Sequence, residues 1–238
     1  SIAWAIAQEL AAQGANNLLG YQFRYHSRIK DLAPQHPPDS KYDRCDVTKE
    51  EELQAFFAKV PAPLDVVVHS IAYAPPAAFE GAMADVTPED FTTAMLVSAH
   101  SLARLMKHAA PKMTNGGSVV TLTYLGGQRV CANYKLMGVA KAALEAYVRE
   151  LAFELGPKGI RVNAVSAGPI KTLAAGGIKD FDCILDYNKS VSPLRENVSA
   201  ADVAQAAAFL ASGGARMITG QVVFVDAGYS IVGVPQLG

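Results

Sequence analysis

SVVTLTYLGGQRVCANYKLMGVAKAALEAYVRELAFELG (118–156) is the stretch whose reading decides the fold. SVVTLTY (118–124) is a continuous apolar run of the kind found in parallel strands buried on both faces. From Tyr134 onward, Met137, Leu144, Tyr147 and Leu151 recur at helical spacing, which predicts a helix over 134–155 closed by Gly156. These four are read as core or as an interface with another subunit. Tyr134 and Lys141 stand seven residues apart. At 3.6 residues per turn they share one face of that helix, about 10 Å apart along its axis. A buried phenol near an ammonium has a tunable proton affinity and donates to an oxygen that gains negative charge. The strand delivers Tyr124 to the sheet edge, so two phenols and one amine converge where a reacting carbonyl can lie.

Working outward, apolar runs and helical stretches alternate along the whole chain. SIAWAIAQELAAQG (1–14) is an amphipathic helix ending at Gly14, and NLLGY (17–21) is a weak strand because Asn is a poor strand former. Residues 24–33 have helical character, and APQHPPDS (33–40) is a turn-rich break. A short strand over Tyr42–Cys45 leads to Asp46, which is read as a cofactor contact, as a helix N-cap, or as both. KEEELQAFFAKV (49–60) is a helix stopped by Pro61, and LDVVVHS (64–70) is a buried strand. His69 at its end is read as a hydrogen-bonded core histidine rather than a catalytic one. TPED (87–90) starts a helix that runs to about Ala110, with Thr87 as N-cap, Pro88 at the first position and Asp90 reaching back. IRVNAVS (160–166) is a strand, Ser199 with Asp202 caps SAADVAQAAAFLA, and QVVFVDAG (221–228) is the last strand.

Such alternation implies an α/β fold: a Rossmann-type, doubly wound parallel sheet with helices on both faces, forming a single domain over 1–238. Ligands in these sheets bind beyond the carboxyl ends of the strands. Gln22, Asp46, Ser70, Ile71, Tyr124 and Ala167-Gly168-Pro169 all follow strands, which marks one edge as a cofactor site. In a dinucleotide-binding unit a strand and a glycine-rich turn precede the first helix. The reading therefore expects roughly 15–20 residues upstream of Ser1, carrying that phosphate fingerprint.

The 238 residues are 50% hydrophobic and 18% charged, with a net charge of −1, which suggests neither a nucleic-acid groove nor a polybasic membrane patch. Cys45, Cys131 and Cys183 are far apart and odd in number, and are read as free thiols in a reducing, cytoplasmic setting. Nothing near Cys131 is of a type that lowers a thiol pKa, so it is read as packing. The five histidines lack metal-ligand spacing, so no metal is expected. No apolar stretch approaches the roughly 20 residues of a membrane span.

With these residues in view, the chain resembles the short-chain dehydrogenase/reductase superfamily and, within it, the NADH-dependent enoyl-acyl-carrier-protein reductases of bacteria. SIAWAIA, DVTKEEE, HSIAYAP, TLTYLGG, NYKLMGVAKAALEAYVR, ELGPKGIRVNAVSAGPIKTLAA, GIKDF and ITGQVVFVDAGYSI carry the resemblance nearly end to end. The Tyr-x6-Lys spacing is its sharpest mark. Ordinary superfamily members carry Tyr-x3-Lys, which would require lysine at 138, where Gly138 stands.

The resemblance implies reduction of a trans-2-enoyl thioester on acyl carrier protein, in fatty-acid elongation, by a cytoplasmic homotetramer. Tyr134 would donate to the thioester oxygen, Lys141 would hold the nicotinamide ribose, and Tyr124 would lie close to the substrate. It further implies that Ser1 and Ile2 lie under the pyrophosphate, with Gln22 at the adenosine ribose and Asp46 and Val47 flanking the adenine. Ser70, Ile71 and Ala72 would run beneath the ribose and nicotinamide. Ile170, Lys171, Thr172, Leu173 and Ala174 would cover the nicotinamide and pyrophosphate, with Lys171 standing where the family often has arginine. Ala74 would touch the acyl substrate. Residues 170–192 would form a flap over the acyl chain, hinged at Gly176 and Gly177. NADH is the expected cofactor because Gln22 is not basic; Arg24 and Arg28 keep NADPH as the alternative. Two other readings stand beside this one: a carbonyl reductase or alcohol dehydrogenase of the same superfamily, and a dinucleotide-binding protein without turnover. Gly138 in place of lysine, together with Tyr124, argues against the first. A sensor needs no proton donor, which argues against the second.

Overall fold

The computed structural model describes residues 1–35, 40–172 and 180–234. In chain order its main elements are α1 (Ile2–Ala12), β1 (Leu18–Tyr21), α2 (His26–Leu32), β2 (Lys41–Arg44), α3 (Glu50–Ala58), β3 (Val66–His69), α4 (Pro88–Met95) and α5 (Ser101–Ala109). They continue with β4 (Gly117–Thr123), α6 (Leu136–Leu155), β5 (Ile160–Ala167), α7 (Phe181–Val191), α8 (Ala200–Ala211) and β6 (Val222–Val225). A π-helical turn, Leu96–His100, joins α4 to α5, so the helix expected to reach Ala110 is two helices with one wide turn between them.

All strand pairs are parallel. β3-β4-β5-β6 form one sheet and β1-β2 a separate pair. Val66 stands opposite Ser118, Gly117 opposite Ile160 and Ala164 opposite Val222. The alternation of side chains along a strand then divides the core in two. Val119 and Val162 enter a cluster with Leu53, Phe57, Leu102, Leu144 and Val148, from α3, α5 and α6. Their neighbours Val120 and Val165 enter another with Ile6 of α1 and Val203, Ala207 and Leu210 of α8. Continuous apolar runs were therefore the correct sign of strands covered on both faces. Leu144 and Val148 are fully buried, each worth about 1.5–3 kcal/mol relative to exposure.

Helix ends follow local chemistry. Ser1 Oγ accepts from Trp4 N at 3.3 Å, Thr87 Oγ1 from Asp90 N at 3.1 Å, and Ser199 with Asp202 forms a capping box. Arg161 closes the far end of α8 by donating to the carbonyls of Leu210 and Ser212, at 2.8 and 3.1 Å.

Two sequence expectations are corrected. The helix read over 134–155 begins at Leu136, with Lys135 as its N-cap, so Tyr134 lies outside it. Gly156 closes that helix as expected, standing as its C-cap. It keeps φ −51°, a short 3-10 turn follows, and Gly159 at φ +71° is the left-handed residue that turns the chain into β5. Asp46 is not the N-cap of α3, a position held by Lys49 without a side-chain bond. Asp46 instead accepts from Thr48 N at 2.9 Å and Thr48 Oγ1 at 2.7 Å, an Asx turn at the strand end.

Candidate active site

The carboxyl ends of the strands gather the residues singled out above. Gln22 follows β1, Asp46 follows β2, Ser70 and Ile71 follow β3, Tyr124 follows β4, and Gly168-Pro169 follow β5. A side-chain hydrogen bond between Gln22 and Asp46 ties the first two ends together. Arg24, just past β1, lies 5.4 Å from the ring centre of Tyr73, which follows β3, and this joins the strand pair to the four-stranded sheet at the same edge.

At the end of β4, Tyr124 and Tyr134 meet edge to face with ring centres 4.8 Å apart. Tyr134 sits between Asn133 (φ +64°) and Lys135 (φ +41°), two residues in backbone conformations that L side chains rarely adopt. Asn tolerates this region; Lys135 is held there while its ammonium donates to the carbonyl of Gly81. The tyrosine is therefore set by an irregular turn ahead of α6 and not by helical periodicity.

Two glycines allow the close packing. A Cβ at Gly126 would lie 2.4 Å from Cδ1 of Tyr134, and a Cβ at Gly138 would lie 2.7 Å from the carbonyl oxygen of Gly126. The lysine of the ordinary Tyr-x3-Lys arrangement has no room at 138 in this packing. Lys141, one turn further along α6, is 5% exposed and donates to Leu122 O at 2.8 Å.

Burial sets the proton affinities here. It pushes Tyr124 and Tyr134 above the ordinary phenol value, with the neighbouring Cys131 adding to the shift in both. Both phenols are thus donors throughout the neutral range. Burial pulls Lys141 down to about 8, while the charge of Glu145 pulls the other way. Cys131 shares a hydrogen bond with Tyr124, and its thiol is raised by burial, in keeping with a packing role. His69 bonds Thr121 Oγ1 at 2.8 Å and Ser101 Oγ at 2.9 Å, and burial with the nearby Lys141 charge pulls it down to about 3. It is a neutral core histidine, as its place at the end of an apolar run suggested.

The remaining site residues fall around this centre. Ala74 is 7% exposed, in a small apolar cluster with Ala78, Ala94, Leu136 and Met137 against which Tyr134 packs. Ile71 packs on the α3/α5/α6 core, to which buried Val47 belongs. Ile2 and Ile170 pack on the α1/α8 core, so the start of α1 and the segment after β5 share a wall. Ser70 is half-buried and Ala72 exposed. For Asp46, burial opposes ionisation, but bonds from Thr48 and Gln22 outweigh it and hold the carboxyl below the usual range. Lys171 is exposed and paired with Asp182 at 2.8 Å, and Thr172 is half-buried. Leu173, Ala174, Gly176 and Gly177 lie outside the described residues. The rest of the expected flap includes α7, where the Tyr187 ring meets Tyr229 at 6.3 Å.

Sequence reasoning passed over Glu145. It is 4% exposed, one turn beyond Lys141 on α6, and accepts from Thr123 Oγ1 at 2.8 Å and Gln128 Nε2 at 2.9 Å. The available signal was an acid beside Leu144 on a face otherwise apolar, four residues after the singled-out lysine. Among the described residues no group of three or more acids, histidines or cysteines could hold a metal ion. No helix among them is long and apolar enough to cross a membrane.

With this geometry established, the model of the family "Enoyl-(Acyl carrier protein) reductase" matches residues 1–230. An NADH enoyl-acyl-carrier-protein reductase of Synechocystis is 43% identical over 98% of this chain and 93% of its own length. The Escherichia coli enzyme of that name is 41% identical over 100% of this chain and 92% of its own. Among solved structures, an Anaplasma phagocytophilum reductase in complex with NAD superposes with a TM-score of 0.92 at 40% identity, covering 100% of this chain and 90% of that one. A Bacillus cereus reductase with NADP+ and an indole naphthyridinone gives 0.95 at 43% identity, covering 98% and 93%.

Proposed function

The chain belongs to the enoyl-(acyl carrier protein) reductase family, and on that footing we propose how its carboxyl-edge residues reduce an enoyl thioester. It is an NADH-dependent oxidoreductase acting on trans-2-enoyl thioesters. The observation that carries the reading is the contact of Tyr124 with Tyr134 at the strand end where Lys141 is buried.

The residues fit a nicotinamide dinucleotide. The Lys141 ammonium has three hydrogens and, among the described residues, donates one to Leu122 O, which leaves two for a pair of ribose hydroxyls. Gln22 and Asp46 stand at a strand edge suited to adenosine, and Ser1 and Ile2 begin an eleven-residue helix whose first amides favour an anion. When bound, NADH supplies the hydride for the β-carbon.

Tyr134 donates its hydroxyl proton in a hydrogen bond to the thioester oxygen, where negative charge grows as the enolate forms. Its raised pKa keeps it protonated for that work. The Tyr124 ring braces the Tyr134 ring edge-on and walls the substrate side. Ala74, in the cluster that packs against Tyr134, meets the acyl portion. Ile170, Lys171 and Thr172 lie beside the nicotinamide and pyrophosphate, and α7 forms part of the cover over the acyl chain.

The same reading makes 1–238 one reductase domain working in fatty-acid elongation in the cytoplasm, with acyl carrier protein delivering the thioester. It makes the chain a homotetramer. Exposed Phe91 on α4 and Val139 and Phe153 on α6 support self-association, which sedimentation velocity measures. The function is tested by mixing the protein with NADH and either a crotonyl or an acetoacetyl thioester. Oxidation with the enoyl thioester alone is expected. Oxidation with the keto thioester alone means a carbonyl reductase, and binding without oxidation of either means a protein without turnover.

A further inference from the structure

We propose that Glu145 is a positioning residue of this site: its buried carboxylate clasps both sides of the Tyr124 turn onto α6 and balances the charge of Lys141. The inference rests on the reading of Lys141 as the residue that holds the cofactor.

An acid buried to 4% exposure persists only when its oxygens are satisfied. Glu145 meets that demand with both oxygens as acceptors. Thr123, which donates to Oε1, immediately precedes Tyr124, and Gln128, which donates to Oε2, follows it by four residues. One side chain therefore fastens the two flanks of the turn that carries the second phenol. The fit is close, since a Cβ at Gly127 would lie 2.9 Å from Oε1.

The second half of the role is electrostatic. Lys141 and Glu145 lie one helical turn apart, and no direct ion pair joins them, so the carboxylate acts through the low-dielectric interior. Other titratable groups stand on the elements around α6, and of these His69 feels the Lys141 charge. His69 of β3 is neutral, Tyr124 and Tyr134 stay protonated, and Cys131 is raised by burial. His100 of the π-helical turn is bonded to the Tyr147 hydroxyl at 2.9 Å. Glu145 is the one that favours the charged amine, against the burial that pulls Lys141 to about 8.

Glu145→Gln separates charge from shape. The amide oxygen still accepts from Thr123, and its N–H donates to the Gln128 carbonyl once that side chain turns over. NADH dissociation constants are measured by fluorescence titration from pH 6.5 to 9 for the wild type, Glu145→Gln, Gln128→Ala and Lys141→Ala. Wild-type affinity is expected to fall above about pH 8, where Lys141 loses its proton. Glu145→Gln should bind almost as well at pH 6.5 and about fivefold more weakly at pH 8, as a one-unit drop in the amine's pKa requires. Gln128→Ala keeps the charge, so its binding profile should stay at the wild-type position while kcat falls with the loosened turn. A Glu145→Gln profile superimposable on the wild type overturns the electrostatic role, and an unchanged kcat in Gln128→Ala overturns the clasp. If Glu145→Gln does not fold, the Lys141 amine is titrated directly by NMR in the wild type and in Gln128→Ala. A value well below 8 in the wild type then overturns the balancing role. Unchanged NADH affinity in Lys141→Ala would instead remove the reading on which the inference rests.

Discussion

The two halves of the site are built on opposite physical terms. In the half around Tyr124 and Tyr134 the two rings are half-buried against each other, Lys141 and Glu145 are buried and hydrogen-bonded, and glycines stand where a single methyl would collide. Around Gln22, Arg24, Asp46 and Lys171 the partners are half or fully exposed, and Arg24 rests on the rings of Tyr25 and Tyr73 rather than in a buried pair. A charge or donor in the first half acts in a low dielectric and cannot be replaced by water. In the second half water competes for every contact. The difference predicts a graded response, steep for the buried half and shallow for the exposed one.

The steepest step is Tyr134→Phe. Loss of a preorganised donor to the developing oxyanion should lower kcat by about 100- to 1000-fold. The NADH dissociation constant should change far less, and equal losses in turnover and cofactor binding would end the assignment. Gly138→Ala tests packing in the same half. Its Cβ meets the Gly126 carbonyl at 2.7 Å, so α6 and the Tyr124 turn must separate. A destabilisation of about 1–3 kcal/mol is expected from such overpacking. A melting temperature equal to that of the wild type would show that the turn has slack.

Lys141→Ala should weaken NADH about ten- to a hundredfold, in line with roughly 1.5–3 kcal/mol for hydrogen bonds from a charged donor. An unchanged dissociation constant would contradict its role. Beneath this lysine, His69 makes the buried half sensitive to acid. Its folded pKa of about 3 lies below the unfolded value, so the unfolded chain binds the proton first and stability falls as pH falls from about 6.5 towards 3. About 2 kcal/mol should be lost from this group between pH 7 and 5. Denaturant titrations of His69→Asn at the two pH values should show a smaller loss, and an identical loss would place the acid sensitivity elsewhere.

The division into halves also marks what was legible in the sequence. Strands such as 118–124 and 160–166 were plain because sheets covered on both faces require unbroken apolar runs. Capped helices were plain because Thr87, Ser199 and Asp202 carry their caps in their own side chains. The constellation of Tyr124, Tyr134 and Lys141 was visible as a spacing, but its geometry was not. A seven-residue interval fits two helical turns, yet Tyr134 is placed by the positive-φ pair Asn133 and Lys135, and no periodicity reports on a backbone like that. Glu145 was missed for a related reason. Its meaning lies in Thr123 and Gln128, far along the chain and close only after β4 and α6 have packed.

Asp46→Asn should give the smallest effect and completes the test of the gradient. Its carboxylate is half exposed, accepts two bonds from Thr48 and one from Gln22, and an amide oxygen preserves an acceptor in the same place. The loss is then one of charge in a solvated setting, about 1 kcal/mol or less, or at most some fivefold in the NADH dissociation constant. Raising the salt concentration should shrink even that, because exposed charges are screened. The Lys141→Ala effect should persist, since its ammonium is shielded by protein. If Asp46→Asn cost as much as Lys141→Ala at every salt concentration, the exposed edge would be shielded in the working enzyme. The contrast between the halves would then belong to the free protein alone.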